Sequence, residues 1–337
     1  MSQKIKILFV RPSKSSFIQK DLELLRAHFD VRAVDSVFSR KRVGQSLKAI
    51  AKIVRGVLWA DVAFSWFADF HAFFAVSASK LLGKKSIVVV GGYEVAELPE
   101  VGYGSMLHPI GRMVVRRTLN SADEVLAVSK FSEKEILKYT HNKSVKLVYN
   151  GVEHTRFKPA GDKEDLVLTV SGGDSWERAQ LKGLDVFVKS ARLLEDVKFL
   201  VIGMEGDGLK RLRDIAPSNV AFVNSLSQDE LVSHYQRARV YCQLSMRESF
   251  GVALAEAMLC ECVPVITDRG AIPELVGDTG FYAPYGDEKA TARAIENALS
   301  SDKGKDARER IRSRFSLERR ERELKEHIES LYFGTES

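Results

Sequence analysis

Glu248 and Glu256 stand eight positions apart within residues 242–276, CQLSMRESFGVALAEAMLCECVPVITDRGAIPELV, and the run SFGVALA between them should open a helix near Phe250 and Gly251. Eight residues is a little over two helical turns, so a carboxylate just before the helix and one on its inward face can address a single ligand. Gly251 lets backbone N–H groups approach an anion at the helix N-terminus, as pyrophosphate binding requires. Beyond the helix, Pro264-Val265-Ile266 reads as a buried strand, followed by the turn Asp268-Arg269-Gly270. Glu256 alone would pass for a solvated helix residue. Two carboxylates around a glycine at a helix start, with a buried strand behind, read as a ligand site.

Such a site needs a rigid frame. Short apolar, β-branched runs alternate with longer helical stretches along the whole chain: residues 5–10, 31–34, 62–65, 86–90, 124–128 and 145–148, then 166–170, 197–202, 220–223, 240–243, 263–266 and 280–282. Runs of this kind predict parallel strands buried on both faces, joined by helical crossovers. The pattern is α/β and doubly wound, and it occurs twice. Polar, Gly- and Pro-containing sequence at 150–165 interrupts it, predicting an N-terminal Rossmann-like domain over 1–155 and a second over 160–314. The charged tail, about 301–331, reads as solvated helix, with a C-terminal segment, 315–337, that returns to the first domain. Parallel sheets bind ligands at the carboxyl ends of their strands, so two of them should face each other across a cleft, one substrate on each.

Composition narrows the classes. Hydrophobic residues at 45% and charged residues at 28% are ordinary globular values, so no large part need be disordered. No apolar run reaches the roughly 18 residues of a membrane span. The opening MSQKIKILFV has no signal-peptide pattern, which predicts a cytoplasmic protein. Cys242, Cys260 and Cys262 are too few for a disulfide framework and lack the partner pair of a zinc site, so they read as buried thiols. The first βα turn has no G-x-G-x-x-G, which argues against a dehydrogenase. No D-x-D metal motif and no Ser–His–Asp set is present, and neither a cofactor nor nucleic acid is expected. The net charge of +6 is uneven: residues 1–150 carry 24 Lys/Arg against 13 Asp/Glu, and residues 151–337 carry 27 against 32. A basic half joined to a mildly acidic one suggests different partners.

Ser245, Glu248, Phe250, Gly251, Glu256, Ala257, Met258, Pro264, Val265 and Ile266 match the pattern S-x-x-E-x-F-G-x-x-x-x-E-A-M-x-x-x-x-P-V-I. That stretch resembles the donor site of retaining glycosyltransferases of the two-Rossmann, or GT-B, type, specifically glycosyltransferase family 4. The resemblance covers most of the chain. The strand 123–129, the connector Asn150-Gly151-Val152-Glu153 with Phe157 and Pro159, and the Gly203–Gly208 turn (GMEGDG) follow in the family's order. It implies that Glu248 contacts the transferred sugar and Glu256 the ribose hydroxyls, with Ser249 and the backbone of Phe250, Gly251 and Val252 at the distal phosphate. Lys182, followed by Gly183, matches the phosphate-binding Lys, and Arg178 is the candidate for the Arg that precedes it. A fixed cation there stabilises the charge of the departing nucleoside diphosphate. Gly172 and Gly173 permit close backbone approach to phosphate or sugar, and Ser225 and Leu226 belong to the stretch expected to read the base. The similar enzymes are metal-independent, with a UDP-, GDP- or ADP-linked sugar as substrate. Glu261 departs from the small residue usual there, and only local repacking is expected.

The acceptor side is less orthodox. The first turn, Arg11 to Ser16, has no glycine, and the fourth strand ends in Gly91-Gly92-Tyr93-Glu94 without the family's His. Gly91, Gly92 and Glu94 thereby become the acceptor-facing candidates, with His71 and His108 nearby but without an assigned role. The leading reading is a retaining transferase acting on a glycan or lipid-linked acceptor hydroxyl. A non-catalytic, membrane-associated partner subunit and a GT-B-like sugar-nucleotide epimerase are the alternatives. Residues 39–59 (SRKRVGQSLKAIAKIVRGVLW) carry an apolar stripe of Val43, Leu47, Ile50, Val54 and Leu58, expected to pack on the sheet. Arg40, Lys41, Arg42, Lys48, Lys52 and Arg55 would then face outward and dock on anionic lipid headgroups at the inner membrane face.

Overall fold

The computed structural model describes residues 4–36, 38 and 43–334. The chain separates into two compact units, residues 1–151 with 318–337, and residues 152–317. Each is built on one six-stranded parallel sheet, and every strand read from the sequence is present.

The first unit contains β1 (Lys6–Arg11), β2 (Asp30–Asp35), β3 (Val62–Trp66), β4 (Lys85–Val90), β5 (Glu124–Ala127) and β6 (Val145–Leu147), in the order β2-β1-β3-β4-β5-β6. The second contains β7 (Glu164–Gly173), β8 (Lys198–Met204), β9 (Val220–Val223), β10 (Ala238–Gln243), β11 (Val263–Ile266) and β12 (Phe281–Tyr282), in the order β12-β11-β10-β7-β8-β9. The inner strands are largely apolar because both faces are covered, and all residues of β3, β5 and β11 are buried, whereas the edge strands β2, β6, β9 and β12 have no buried residue. Strand order reverses between β1 and β3 in the first unit and between β7 and β10 in the second. At these switch points adjacent crossovers diverge and leave a crevice beyond the strand ends.

Two expectations require correction. The charged tail is not one solvated helix: it forms helices Gly304–Arg314 and Leu317–Phe333, and the second buries Arg320, Leu324 and Ile328. Arg320 donates from Nε and Nη2 to the two oxygens of Asp21, at 2.6 and 2.7 Å, and from Nη1 to the carbonyls of Val148 and Tyr149. Trp66 Nε1 donates to the same carboxylate at 2.9 Å. Arg320 and Asp21 are 2% and 1% exposed, so a buried charge pair fastens the last helix to the helix Ser16–His28.

The second correction concerns the helix Val43–Trp59. Leu47, Leu58 and Val54 of its expected inward stripe lie outward, 61%, 59% and 36% exposed, and Ala49, Ile53 and Val57 face the sheet instead; the Val43 side chain lies outside what the structure describes. Gly56 is the reason. A Cβ there would lie 2.4 Å from Leu8 Cδ1, so the small-residue face alone allows the helix to close on β1. Leu47, Val54 and Leu58 therefore share the exposed surface with Lys48, Lys52 and Arg55. Arg40, Lys41 and Arg42 lie outside the described residues. Among the described residues no helix is long and apolar enough to cross a membrane.

Candidate donor site

The second unit gathers its site at the switch point between β7 and β10. The loop after β10, residues 244–251, is held by neighbours that only glycine permits. Gly183, at φ 68°, comes so close that a Cβ would meet the Leu244 carbonyl oxygen at 2.0 Å, and Gly270, at φ 65°, abuts the backbone of Glu248. Met246 N donates to Leu181 O and Ala271 N donates to Glu248 O, both at 2.9 Å. The loop is thus pinned on one side by the Lys182-Gly183 turn and on the other by the 268–271 turn. A larger residue at either glycine would push the two apart.

This clamp sets Lys182 against Glu248 as an ion pair, each side chain 14% exposed. Glu248 Oε1 also accepts from Gln243 Nε2 at 2.9 Å and from Ser245 Oγ at 3.0 Å. Three donors therefore converge on one carboxylate oxygen, and among the described residues none reaches Oε2. Ser245 is fully buried, with its carbonyl accepting from Thr267 Oγ1 at 2.8 Å.

The next residues turn into the helix Val252–Leu259, whose N-cap, Gly251, has φ 99°. Phe250 anchors the turn by packing edge-on against Phe315. The free N–H groups of Val252 and its neighbours, with the helix dipole behind them, give a positive end for an anion. Glu256 lies one turn in, 4% exposed. Its Oε1 accepts from Gln228 Nε2 at 3.1 Å and its Oε2 from Tyr235 Oη at 3.3 Å. Burial pushes this carboxyl up to about 8, against the downward pull of the Tyr235 hydroxyl and the Arg156 charge. Arg156 in turn donates to Gln228 Oε1 and pairs with Asp229 at 2.8 Å.

On the β7 side, Gly173 has φ 152°, and a Cβ on it would meet Arg178 Cγ at 2.3 Å, so the Arg178 stem lies across the glycine. Arg178 Nε donates to Gly172 O at 3.2 Å, and among the described residues no carboxylate pairs with this guanidinium. Ser175 caps the short helix Trp176–Leu181 that carries Arg178 and delivers Lys182 at its end. Ser225, beyond β9, donates to Glu205 Oε1 at 3.1 Å at the end of β8, with Leu226 following it. The structure thus brings Gly172, Gly173, Arg178, Lys182, Ser245, Glu248 and the 249–252 turn to one switch point, with Ser225 and Leu226 further along the same sheet edge. Sequence reasoning missed Gln243, Gln228 and Tyr235. A polar residue ending the otherwise apolar strand VYCQ was the available signal for Gln243; nothing local marks the other two.

In the first unit Gly91 lies against Phe67, whose ring carbon Cε1 would sit 2.1 Å from a Cβ at that position, and Phe67 itself has φ 67°. Glu94 turns inward, 1% exposed, and accepts from the backbone N–H groups of Ala68, Gly91 and Gly92 at 3.2, 3.0 and 2.7 Å. Burial raises its pKa. Its carboxylate shapes the loop from within, and Tyr93, 43% exposed, is the outward side chain. His71 is buried against the Trp66 carbonyl, with its pKa lowered by burial. His108 is exposed at the start of the helix Pro109–Ser121. Among the described residues no cluster of His, Cys, Asp and Glu is placed to hold a metal ion.

Two Rossmann-like units of these strand orders, each with flanking helices on a six-stranded parallel sheet, define the GT-B class of fold. Solved structures agree: Anabaena HepE in complex with UDP and glucose superposes with TM-score 0.79 at 17% identity, covering 97% of this chain and 100% of that one. Sucrose-phosphate synthase from Thermosynechococcus elongatus gives 0.79 at 16% identity, covering 98% and 100%. Residues 7–156 match the model of Glycosyltransferase Family 4, and residues 151–315 match that of Glycosyl transferases group 1. The chain belongs to this family: it is a GT4-like glycosyltransferase. Among its relatives, an N-acetyl-alpha-D-glucosaminyl L-malate synthase of Bacillus anthracis is 26% identical over 81% of this chain and 74% of its own length. An O-antigen chain mannosyltransferase of Salmonella typhimurium is 25% identical over 55% of this chain and 54% of its own length, so that match spans about half of each protein.

Proposed function

We propose that the enzyme transfers a hexosyl group from a nucleoside-diphosphate sugar to an acceptor hydroxyl with retention of configuration, the acceptor being a glycan or a lipid-linked glycan precursor. The observation that carries this reading is the loading of Glu248: three donors occupy Oε1, and Oε2 is left to accept a hydroxyl of the sugar. The ribose hydroxyls fall to Glu256. The diphosphate falls to Arg178, Lys182 and the amides of 250–252, with Gly172 and Gly173 admitting it closely and Ser225 and Leu226 at the base. The bond from the anomeric carbon to the phosphate oxygen breaks as the acceptor oxygen bonds on the same face, and the acceptor's proton passes to the leaving phosphate. Arg178 and Lys182 then stabilise charge that grows on that phosphate, where preorganised cations are most effective.

A lipid-linked acceptor is supported by the exposed face of the helix Val43–Trp59, where Leu47, Val54 and Leu58 accompany Lys48, Lys52 and Arg55. A groove of about 670 Å³ along the helix Pro109–Ser121, lined by Leu107, Met113, Arg112, Arg116 and Arg117, has the same basic and apolar character. These surfaces suit peripheral attachment to an anionic membrane. The test is a panel of UDP-, GDP- and ADP-sugars with and without lipid-linked acceptors, with the product's anomeric configuration read by NMR. Retained product supports the reading. Epimerised donor without acceptor, or no turnover despite donor binding, refutes it in favour of an epimerase or a partner subunit.

A further inference from the structure

Beneath Glu248 lies a polar side chain that is almost wholly buried. Gln243 ends β10, is 5% exposed, and pairs in register with Ile266 of β11. A glutamine there is costly unless its amide is satisfied, because burying an amide without hydrogen-bond partners is unfavourable. Its partners satisfy it in a directed way. Nε2 donates to Ser245 Oγ at 2.8 Å and to Glu248 Oε1 at 2.9 Å, and Oε1 accepts from the Tyr241 hydroxyl at 3.3 Å. Tyr241 is itself fully buried and lies 3.4 Å from the Val170 carbonyl of β7. The acceptor end of the amide thus faces Tyr241, and its two N–H groups face the site.

An aliphatic residue would fill the same space and leave β10 intact. The amide adds direction: one N–H holds Ser245, which donates to Glu248, and the other holds Glu248 itself. Lys182 supplies the third donor to the same oxygen. A carboxylate with one oxygen bound from three sides cannot rotate without breaking all three contacts, so its second oxygen points one way. Lys182 alone would not secure this, since a flexible ammonium follows the carboxylate wherever it swings.

We propose that Gln243 is a positioning residue for transfer: it aims Glu248 by holding Oε1, so that Oε2 meets the hydroxyl of the donor's sugar while Lys182 remains within reach of the leaving phosphate. This rests on the donor-site reading above and assigns a role to a residue that acts through Glu248. Gln243 affects the sugar and not the nucleotide, because the contacts around Glu256 involve none of these side chains.

The experiment compares Gln243→Leu and Gln243→Glu with the wild type. Gln243→Leu keeps the volume and removes both donors. Turnover should fall by about tenfold or more, as for loss of a group that orients catalytic machinery, while affinity for the free nucleoside diphosphate stays within about twofold. Gln243→Glu supplies the signature that a merely structural role would not produce. A protonated carboxyl can donate to Glu248 as the amide does, whereas an ionised one repels it, since two carboxylates at hydrogen-bond distance resist sharing two charges. The rate of Gln243→Glu should therefore climb relative to wild type as pH falls from about 8 to 5, in the presence of unchanged Lys182 and Tyr241. Equal turnover for Gln243→Leu, or a wild-type pH profile for Gln243→Glu, overturns the proposal. A crystal structure of Gln243→Leu tests the role independently of turnover: Glu248 displaced from its present direction supports it, and Glu248 unmoved refutes it. If the wild type turns over no donor, the transferase reading fails, and the crystal structure of the variant still decides what Gln243 does.

Discussion

Donor binding should be coupled to loss of a proton from Glu256. This carboxyl is buried, with its pKa pushed up to about 8 by burial, so at pH 7 only about one molecule in ten carries the charge. Ribose hydroxyls are donors and favour the ionised form, which lowers the pKa in the complex; binding near neutrality must then release a proton. The sign follows. Below pH 8 the free site is mostly protonated and binding bears the cost of ionising it, a cost that shrinks as pH rises and vanishes above the free-state pKa. Donor affinity should climb by about tenfold between pH 7 and the plateau above 8, or ~1.4 kcal/mol, one pKa unit of differential interaction. The assay is titration calorimetry with an intact nucleotide sugar, whose phosphates have no proton to lose in this range, in two buffers of different ionisation enthalpy. Close to one proton should leave per ligand at pH 7 in the wild type, and none in Glu256→Gln. An affinity flat from about pH 6 to 8.5, or the same slope in Glu256→Gln, would refute the reasoning and remove Glu256 from the ribose.

Three further outcomes are expected. Lys182→Ala should lower kcat by ~10²-fold or more, as loss of a transition-state charge partner does, and Arg178→Ala should lower it on the same scale; steady-state rates within a few-fold of wild type would leave the leaving group to backbone amides. Arg320→Met should destabilise the first unit by about 3–5 kcal/mol in urea unfolding, because it strands the buried Asp21 carboxylate, and Asp21→Leu added to it should recover much of the loss. Wild-type protein should bind anionic vesicles at low salt and release them as salt rises. Lys48, Lys52 and Arg55 changed to Gln, or Leu47 and Leu58 changed to Ser, should each weaken that binding without altering donor affinity, and indifference of the wild type to such vesicles would make this face ordinary solvated surface.

The inner strands were legible because a strand covered on both faces must be largely apolar, and each such run is bounded by helical or polar sequence; the edge strands, none with a buried residue, were legible only from their short β-branched runs. Glu248, Glu256 and Gly251 were legible because the spacing of two carboxylates about a helix start is itself local. Reading the tail as solvated missed its buried residues, because charge density says nothing about which single arginine is buried; Arg320 is inside only because Asp21, almost three hundred positions away, meets it there. The helix Val43–Trp59 was misjudged in orientation because two apolar stripes compete at helical period, and what decides between them is the space left by Gly56 over Leu8.

What the amino-acid sequence determined by itself was the list of elements, their alternation and the residue types at the site, all of which depend on neighbours within a few turns. Tertiary structure alone decided which strand ends meet. β7 and β10 are adjacent although two strands separate them in sequence, so Lys182 and Glu248, sixty-six positions apart, form one ion pair. The same packing closed Gln228 and Tyr235 around Glu256, turned Glu94 away from solvent, and brought Gln243, Ser245 and Lys182 to a single oxygen. The contacts of Lys182, Gln228 and Tyr235 join distant segments, set by strand order and by glycines that let two backbones touch, and no local pattern of residue types encodes them; Gln243 and Ser245 reach Glu248, and Gly91 and Gly92 reach Glu94, within five positions.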